Sequence, residues 1–120
     1  MNKKVVIILA NPGPLRDGLH ALMFAMPQIG SITEMNDLQM ALGTTSEQLP
    51  SLVILDAELI KGNLSKAMEL VKARWSQARC ILLANDVREQ QEAESAGVDA
   101  ALLKGVPPTS ITATVVRLLS

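Results

Sequence analysis

The chain has 120 residues, 48% of them apolar, and 11 Lys and Arg residues nearly balance 12 Asp and Glu residues, for a net charge of −1. This length and composition fit a single domain, residues 1–120, with one substantial core. The balanced charge, without a basic run, disfavours nucleic acid or an anionic membrane as a direct partner, and the presence of only one Phe, one Trp and no Tyr argues against base stacking.

Strand-like and helix-like segments alternate along the whole chain. Apolar runs predict five strands, at residues 5–10, 30–34, 52–55, 80–84 and 100–103. Apolar residues at three- and four-residue spacing and capping residues predict five helices, at residues 14–26, 36–42, 63–75, 87–95 and 110–119. Alternation of this kind predicts a parallel sheet covered by helices on both sides.

The first predicted strand, the single cysteine and the single histidine limit the location of the protein and the kinds of site that it can form. Residues 5–10 are too few for a signal-peptide core or a membrane span, so a cytoplasmic protein is expected. Cys80 and His20 are the only cysteine and histidine, which excludes an intrachain disulfide and an ordinary zinc site within one chain. Cys80 lies in an apolar run and is interpreted as a small buried hydrophobic residue.

Asp56 directly follows the unbroken apolar run of residues 52–55. Such a run predicts a strand buried on both faces, as in a parallel sheet. In open parallel sheets, functional groups gather beyond the carboxyl ends of the strands. Asp56 is therefore a candidate site residue.

The order of elements, together with three stretches of sequence, resembles the receiver domain of bacterial response regulators, the CheY-like family. The stretches are residues 50–56, 96–104 and 14–19. The resemblance covers almost the whole chain and implies a role in two-component phosphorelay signalling. It also implies an α/β fold, a flavodoxin-like (βα)5 three-layer sandwich with a five-stranded parallel sheet of order 2-1-3-4-5.

The resemblance assigns roles to two residues that match the family pattern. Receivers are phosphorylated on an aspartate at the end of strand 3, and this position falls on Asp56. A lysine after strand 5 contacts the phosphoryl group, and this position falls on Lys104. The alternative interpretation is structural, because an Asp56–Lys104 ion pair would stabilise the strand ends without any phosphate.

Four other family positions depart from the pattern. The acidic pair that helps the acceptor hold Mg²⁺ falls on Ala10 and Asn11, the Ser or Thr after strand 4 on Ala84, and the strand 5 aromatic on Ala101. Mg²⁺ prefers hard oxygen ligands that include carboxylates, so Asp56 and Asn11 predict at most a weak magnesium site. The departures favour a degenerate receiver, or pseudo-receiver, that acts through protein–protein contacts.

Two further hypotheses were weighed against the pseudo-receiver. One is a conventional receiver, phosphorylated on Asp56 by a histidine kinase. The other is an independent enzyme, which is disfavoured because no nucleophile–base pair is evident, so no enzymatic activity is expected.

The carboxyl-terminal side offers a candidate interaction surface. In the family, helix 4, strand 5 and helix 5 commonly contact a signalling partner or a second copy. In the last helix, Ile111, Val115 and Leu118 fit one core-facing stripe, whereas Val116 and Leu119 widen it. Two interpretations stay open: a homodimer through this surface, or core packing next to a frayed chain end.

Overall fold

The computed structural model describes residues 3–44 and 49–120, which form one parallel sheet of order β2-β1-β3-β4-β5. The strands are β1 (Lys4–Leu9), β2 (Ile29–Met35), β3 (Leu52–Asp56), β4 (Arg79–Ala84) and β5 (Ala100–Leu103). The helices are α1 (Pro14–Phe24), α2 (Leu38–Leu42), α3 (Leu64–Arg74), α4 (Val87–Ser95) and α5 (Pro108–Leu119). The predicted flavodoxin-like architecture and strand order are confirmed.

Both faces of the sheet are buried, as the apolar run of β3 predicts. Val53 and Leu55 pack with α2, α3 and α4 on one face, whereas Leu52 and Ile54 pack with α1 and α5 on the other. This division follows from the strand order, because right-handed crossovers place helices on opposite faces when the chain moves outward from β1 in opposite directions. All five residues of β3 are buried, including Asp56 at its end.

Helix starts follow the local signals in the sequence. Three helices begin with a side-chain cap, at Asp37, Asn63 and Asp86. Each cap accepts a hydrogen bond from the backbone N–H of the residue three positions later, which satisfies one of the free donors of the first helical turn. Pro14 and Pro108 occupy the first turns of α1 and α5. The last helix begins two residues earlier than predicted, because proline suits the first helical position.

Cys80 lies inside the sheet and is 4% exposed, as predicted for a small buried hydrophobic residue. Burial, together with the nearby charge of Asp99, raises the pKa of the Cys80 thiol to about 12, and the charge of Lys72 opposes this shift. The thiol is therefore neutral at physiological pH and unsuited to act as a nucleophile.

No helix in residues 3–44 and 49–120 is long and apolar enough to cross a membrane.

Candidate functional site

The carboxyl ends of β3, β4 and β5 form one edge of the sheet. Strand pairing sets Asp56 opposite Leu83 and sets Ala84 opposite Leu103, so the residue after β5 emerges beside the end of β4, one strand away from the end of β3. The backbone N–H of Lys104 donates to the carbonyl of Ala84 across 2.9 Å, which extends the β4–β5 pairing by one residue. This register carries the Lys104 side chain toward Asp56.

Asp56 and Lys104 form the closest ion pair at this edge. The Nζ of Lys104 lies 2.6 Å from Oδ1 of Asp56, which is a close ion pair. Asp56 is 5% exposed, and its Oδ1 also accepts a 2.9 Å hydrogen bond from the backbone N–H of Glu58. The contact expected from the order of the strands is therefore present, and the carboxylate is largely shielded from solvent.

Two further side chains contact the same ammonium group, and the sequence patterns above do not point to either. Oδ1 of Asn85 accepts from Lys104 Nζ at 2.8 Å, and Oε1 of Glu58 lies 3.5 Å from that nitrogen. Glu58 belongs to a short 3-10 helix, Ala57–Leu59, directly after β3, and Asn85 directly follows β4. A search for the first polar residues after each strand, beyond the family positions, would have found both.

Asn85 is itself held by the first turn of α4. Its backbone N–H and its Nδ2 donate to Oε1 of Glu89 at 2.7 Å and 3.2 Å. Asp86 caps the same helix by accepting from the backbone N–H of Glu89 at 2.8 Å. The amide of Asn85 therefore connects the end of β5, through Lys104, to the start of α4.

The degenerate positions are small apolar residues in the core. Ala10, Ala84 and Ala101 are 1%, 0% and 8% exposed, and their methyl groups can neither bind a metal nor donate to a phosphoryl oxygen. Ala10 lies just after β1, where its N–H donates to the carbonyl of Met35. These positions therefore contribute packing to the site and no polar side-chain group.

The donor set at this edge does not suit Mg²⁺, which requires near-octahedral oxygen ligands. Asp56 is already bonded to the ammonium of Lys104, and Glu58, the next carboxylate along the chain, faces the same ammonium. Asn11 is exposed and lines a neighbouring cleft of about 500 Å³ together with Lys61. Within the described residues, no group of three or more His, Cys, Asp and Glu side chains is arranged to hold a metal. The weak site predicted from Asp56 and Asn11 stays a prediction.

His20 belongs to a separate cluster between α1 and β2. Its Nδ1 lies 3.4 Å from Oε2 of Glu34, and its ring stacks on Phe24 with centroids 6.4 Å apart. Arg16 lies 3.7 Å from the same carboxylate and donates to the carbonyl of Ala10. This arrangement connects α1 to the edge strand and places His20 in a structural contact.

Comparison with known proteins identifies the fold. No protein-family model matches the sequence, and no curated protein matches it significantly. Among solved structures, the BeF3-activated receiver domain of DrrB aligns over 98% of both chains with a TM-score of 0.80 and 18% identity. The chain has the receiver fold. A LuxR-family two-component response regulator from Aurantimonas aligns over 98% of this chain and 86% of its own, with a TM-score of 0.82 and 18% identity.

The receiver fold is also present in a solved structure named for a different process. A Sinorhizobium meliloti chain described as a putative CpaE2 pilus assembly protein aligns over 95% of this chain and 98% of its own, with a TM-score of 0.73 and 18% identity. At such identities the likeness establishes the receiver fold. The activity has to be argued from the side chains at the strand ends.

Proposed function

We propose that this chain is a two-component signal-transduction module of the pseudo-receiver type, a single domain that acts through protein–protein contacts and not as an enzyme. The receiver fold supports the signalling assignment, since several proteins that share it are response regulators. A cytoplasmic location accompanies this proposal, because signalling of this kind takes place there.

One observation carries the pseudo-receiver assignment: Asp56 is paired with Lys104 at 2.6 Å, while Ala10 and Ala84 are buried methyl groups at the metal and hydroxyl positions. Phosphoryl transfer depends on metal ions and fixed donors that neutralise the charge of the transferred group. Lys104 occupies the lysine position, but Ala10 and Ala84 supply neither a carboxylate nor a hydroxyl at the other two positions. Phosphorylation of Asp56 is therefore expected to be very slow.

The alternative is a conventional receiver that a histidine kinase phosphorylates on Asp56. The position of the Asp56 carboxylate at the end of β3, next to the lysine that follows β5, favours this function. Lys104 would then contact the phosphoryl group, and catalysis would require a metal bound by Asp56, Asn11 and water. The two proposals make opposite predictions about a phosphodonor.

Incubation with Mg²⁺ and acetyl phosphate, followed by intact mass measurement, separates the two functions. We expect no phosphoryl adduct on the wild-type chain, because the metal and hydroxyl positions are filled by Ala10 and Ala84. A conventional receiver domain treated in parallel shows that the reagent is active. An adduct that forms on the wild type and disappears in Asp56→Asn would contradict the pseudo-receiver proposal and establish the alternative.

Helix α4, strand β5 and helix α5 form the surface proposed for a signalling partner, a histidine kinase or output protein, or for a second copy. Val87 on α4 and Val116 on α5 are 54% and 45% exposed, and exposed apolar side chains of this size suit protein contact. Direct contact with nucleic acid or a membrane is not proposed, given the net charge of −1.

A further inference from the structure

Three side-chain oxygen atoms lie close to the ammonium group of Lys104. Oδ1 of Asp56 lies at 2.6 Å, Oδ1 of Asn85 at 2.8 Å and Oε1 of Glu58 at 3.5 Å. Asn85 accepts a hydrogen bond from this ammonium, Asp56 forms a close ion pair with it, and Glu58 forms a longer ion pair. These oxygen atoms belong to the end of β3, the 3-10 helix after it and the residue after β4, and the lysine follows β5, so one cation connects three strand ends.

The charges around Lys104 disfavour an incoming anion. Two carboxylates, Asp56 and Glu58, surround one ammonium, so the cluster carries a net charge of −1. The Asp56 side chain is 7% exposed and the Lys104 side chain 24%, whereas the Glu58 side chain is 56% exposed and occupies the solvent side. A phosphate that approached Lys104 would meet the Glu58 carboxylate, and repulsion between like charges opposes binding.

Asn85 fixes the ammonium from the other side. Its Nδ2 and backbone N–H donate to Glu89, which orients its Oδ1 toward Lys104. Because the amide is held at both ends, Lys104 cannot turn toward a new partner without breaking the contact with Asn85. A rotation of that kind would be required for the lysine to bind a phosphoryl oxygen at full strength.

We infer that Glu58 and Asn85 are positioning residues that hold Lys104 and thereby close a latent anion site at the strand ends. This inference rests on the proposed pseudo-receiver function and names the groups that keep the site inactive. Glu58 supplies a resident carboxylate where an external anion would otherwise bind, and Asn85 holds the lysine toward Asp56. Removal of both groups should expose an ammonium able to bind inorganic phosphate.

The test is a titration with inorganic phosphate, followed through the backbone amide NMR signals of residues 57–58, 85–86 and 104–105. We expect no saturable shift in the wild type and a saturable shift in the double variant Glu58→Gln/Asn85→Ala, with affinity raised about tenfold or more. Addition of Lys104→Met to the double variant should abolish the response. The side-chain ¹⁵Nζ signal of Lys104 should also move in the double variant, a readout that a general change in stability would not produce.

Matched controls use the same substitutions at exposed positions. Glu69→Gln removes a carboxylate from a solvent-exposed pair with Lys66, and Asn36→Ala removes an exposed amide near the same edge of the sheet. Both should bind phosphate as weakly as the wild type. Equal phosphate affinity in the wild type and the folded double variant, whether strong or undetectable, would overturn the inference.

Failure of this inference and failure of the proposed function are distinguishable. A phosphoryl adduct on wild-type Asp56 overturns the pseudo-receiver assignment whatever the phosphate titration shows. The ratio of phosphate affinities between the double variant and the wild type tests the roles of Glu58 and Asn85, and this test does not depend on the result with acetyl phosphate. Should Glu58→Gln/Asn85→Ala fold poorly, Glu58→Gln alone, at an exposed side chain, provides the same comparison with a smaller expected gain.

Discussion

At the scale of single residues, the role of Asp56 depends on the groups around its carboxylate. The carboxylate is 5% exposed, and Lys104 is the cation that balances it. A buried ion pair of this kind adds little net stability compared with an apolar pair of the same shape, but the loss of one partner leaves an uncompensated charge. The contact therefore gives both residues a structural role that does not depend on phosphorylation.

Replacement of Lys104 tests this structural role. Lys104→Met should lower the free energy of unfolding by about 2–4 kcal/mol, because it leaves the buried Asp56 carboxylate without a cation. The double variant Asp56→Asn/Lys104→Met should lose less than the sum of the single variants. Urea denaturation provides the measurement.

The control for this cycle is Lys66→Met, which removes a lysine whose pair with Glu69 is more than 70% exposed on both sides. Exposed pairs contribute about 0–1 kcal/mol. If Lys104→Met is no more destabilising than Lys66→Met, the prediction that Lys104 stabilises the fold through Asp56 is wrong.

Cys80 provides a prediction about pH. Burial raises the pKa of the folded thiol from 9.0 to about 12, so the unfolded thiol loses its proton first as the pH rises. The folded chain then holds one more proton than the unfolded chain, and the free energy of unfolding should decline as the pH rises from about 9 toward 12. Urea denaturation between pH 8 and pH 10.5 should show a decline that is shallower in Cys80→Ala. If the free energy of unfolding declines equally with pH in the wild type and in Cys80→Ala, the raised pKa of the folded Cys80 thiol is wrong.

At the scale of elements, the strands and α4 depend on different forces. The residues of β3 are buried on both faces, and this apolar burial stabilises the strand directly. By contrast, α4 buries only Ala93 completely, and the rest of its sequence is largely polar. The position of α4 therefore depends on polar contacts, including the cap at Asp86 and the bond from Gln90 Nε2 to the carbonyl of Ala101.

The cap of α4 can be tested separately. Asp86→Ala should lower the free energy of unfolding by about 1 kcal/mol, because the backbone N–H of Glu89 loses its acceptor. Amide hydrogen exchange should increase mainly in α4. Asp17→Ala is the matched control, since Asp17 lies in the first turn of α1, whose start has no side-chain cap. Equal effects of the two substitutions would show that the cap does not stabilise α4.

At the scale of the whole molecule, the question is which surface remains for a partner. Ile111 and Val115 of α5 are buried, and Leu118 and Leu119 pack against the same core. Val116 points outward and is 45% exposed. The prediction of a core-facing stripe is therefore confirmed, and of the two residues that widen it, Val116 is exposed and Leu119 is partly buried.

Self-association through α4, β5 and α5 predicts a concentration-dependent sedimentation coefficient. Val116→Lys should shift the monomer–dimer equilibrium toward monomer, because it places a charge in an apolar contact. Phe24→Lys is the control, since Phe24 is 78% exposed but lies on α1. A wild-type chain that remains monomeric at all concentrations in the ultracentrifuge would exclude the homodimer and leave a different signalling protein as the proposed partner.

The sequence alone determined the features that depend on neighbouring residues. The apolar run of residues 52–55 predicts a doubly buried strand because side chains alternate between the faces of a sheet, and both faces here are apolar. The caps Asn63 and Asp86 depend on contacts between residues three apart, so local sequence is sufficient to predict them. For α2 the sequence allows either Asn36 or Asp37 as the cap, and the structure has Asp37. The register of β3, β4 and β5 then brought Lys104 to Asp56, as expected from the order of the strands.

Only the tertiary structure decided what else surrounds Lys104. Glu58 and Asn85 lie far from it in the sequence, and their contacts depend on how three loops and three long side chains meet at the sheet edge. No periodic pattern in the sequence predicts these contacts. They depend on the pairing of the central strands and on side-chain conformations set by Glu89 and the 3-10 helix. Sequence therefore placed Asp56 and Lys104 at the same edge, whereas the fold decided which other side chains contact Lys104.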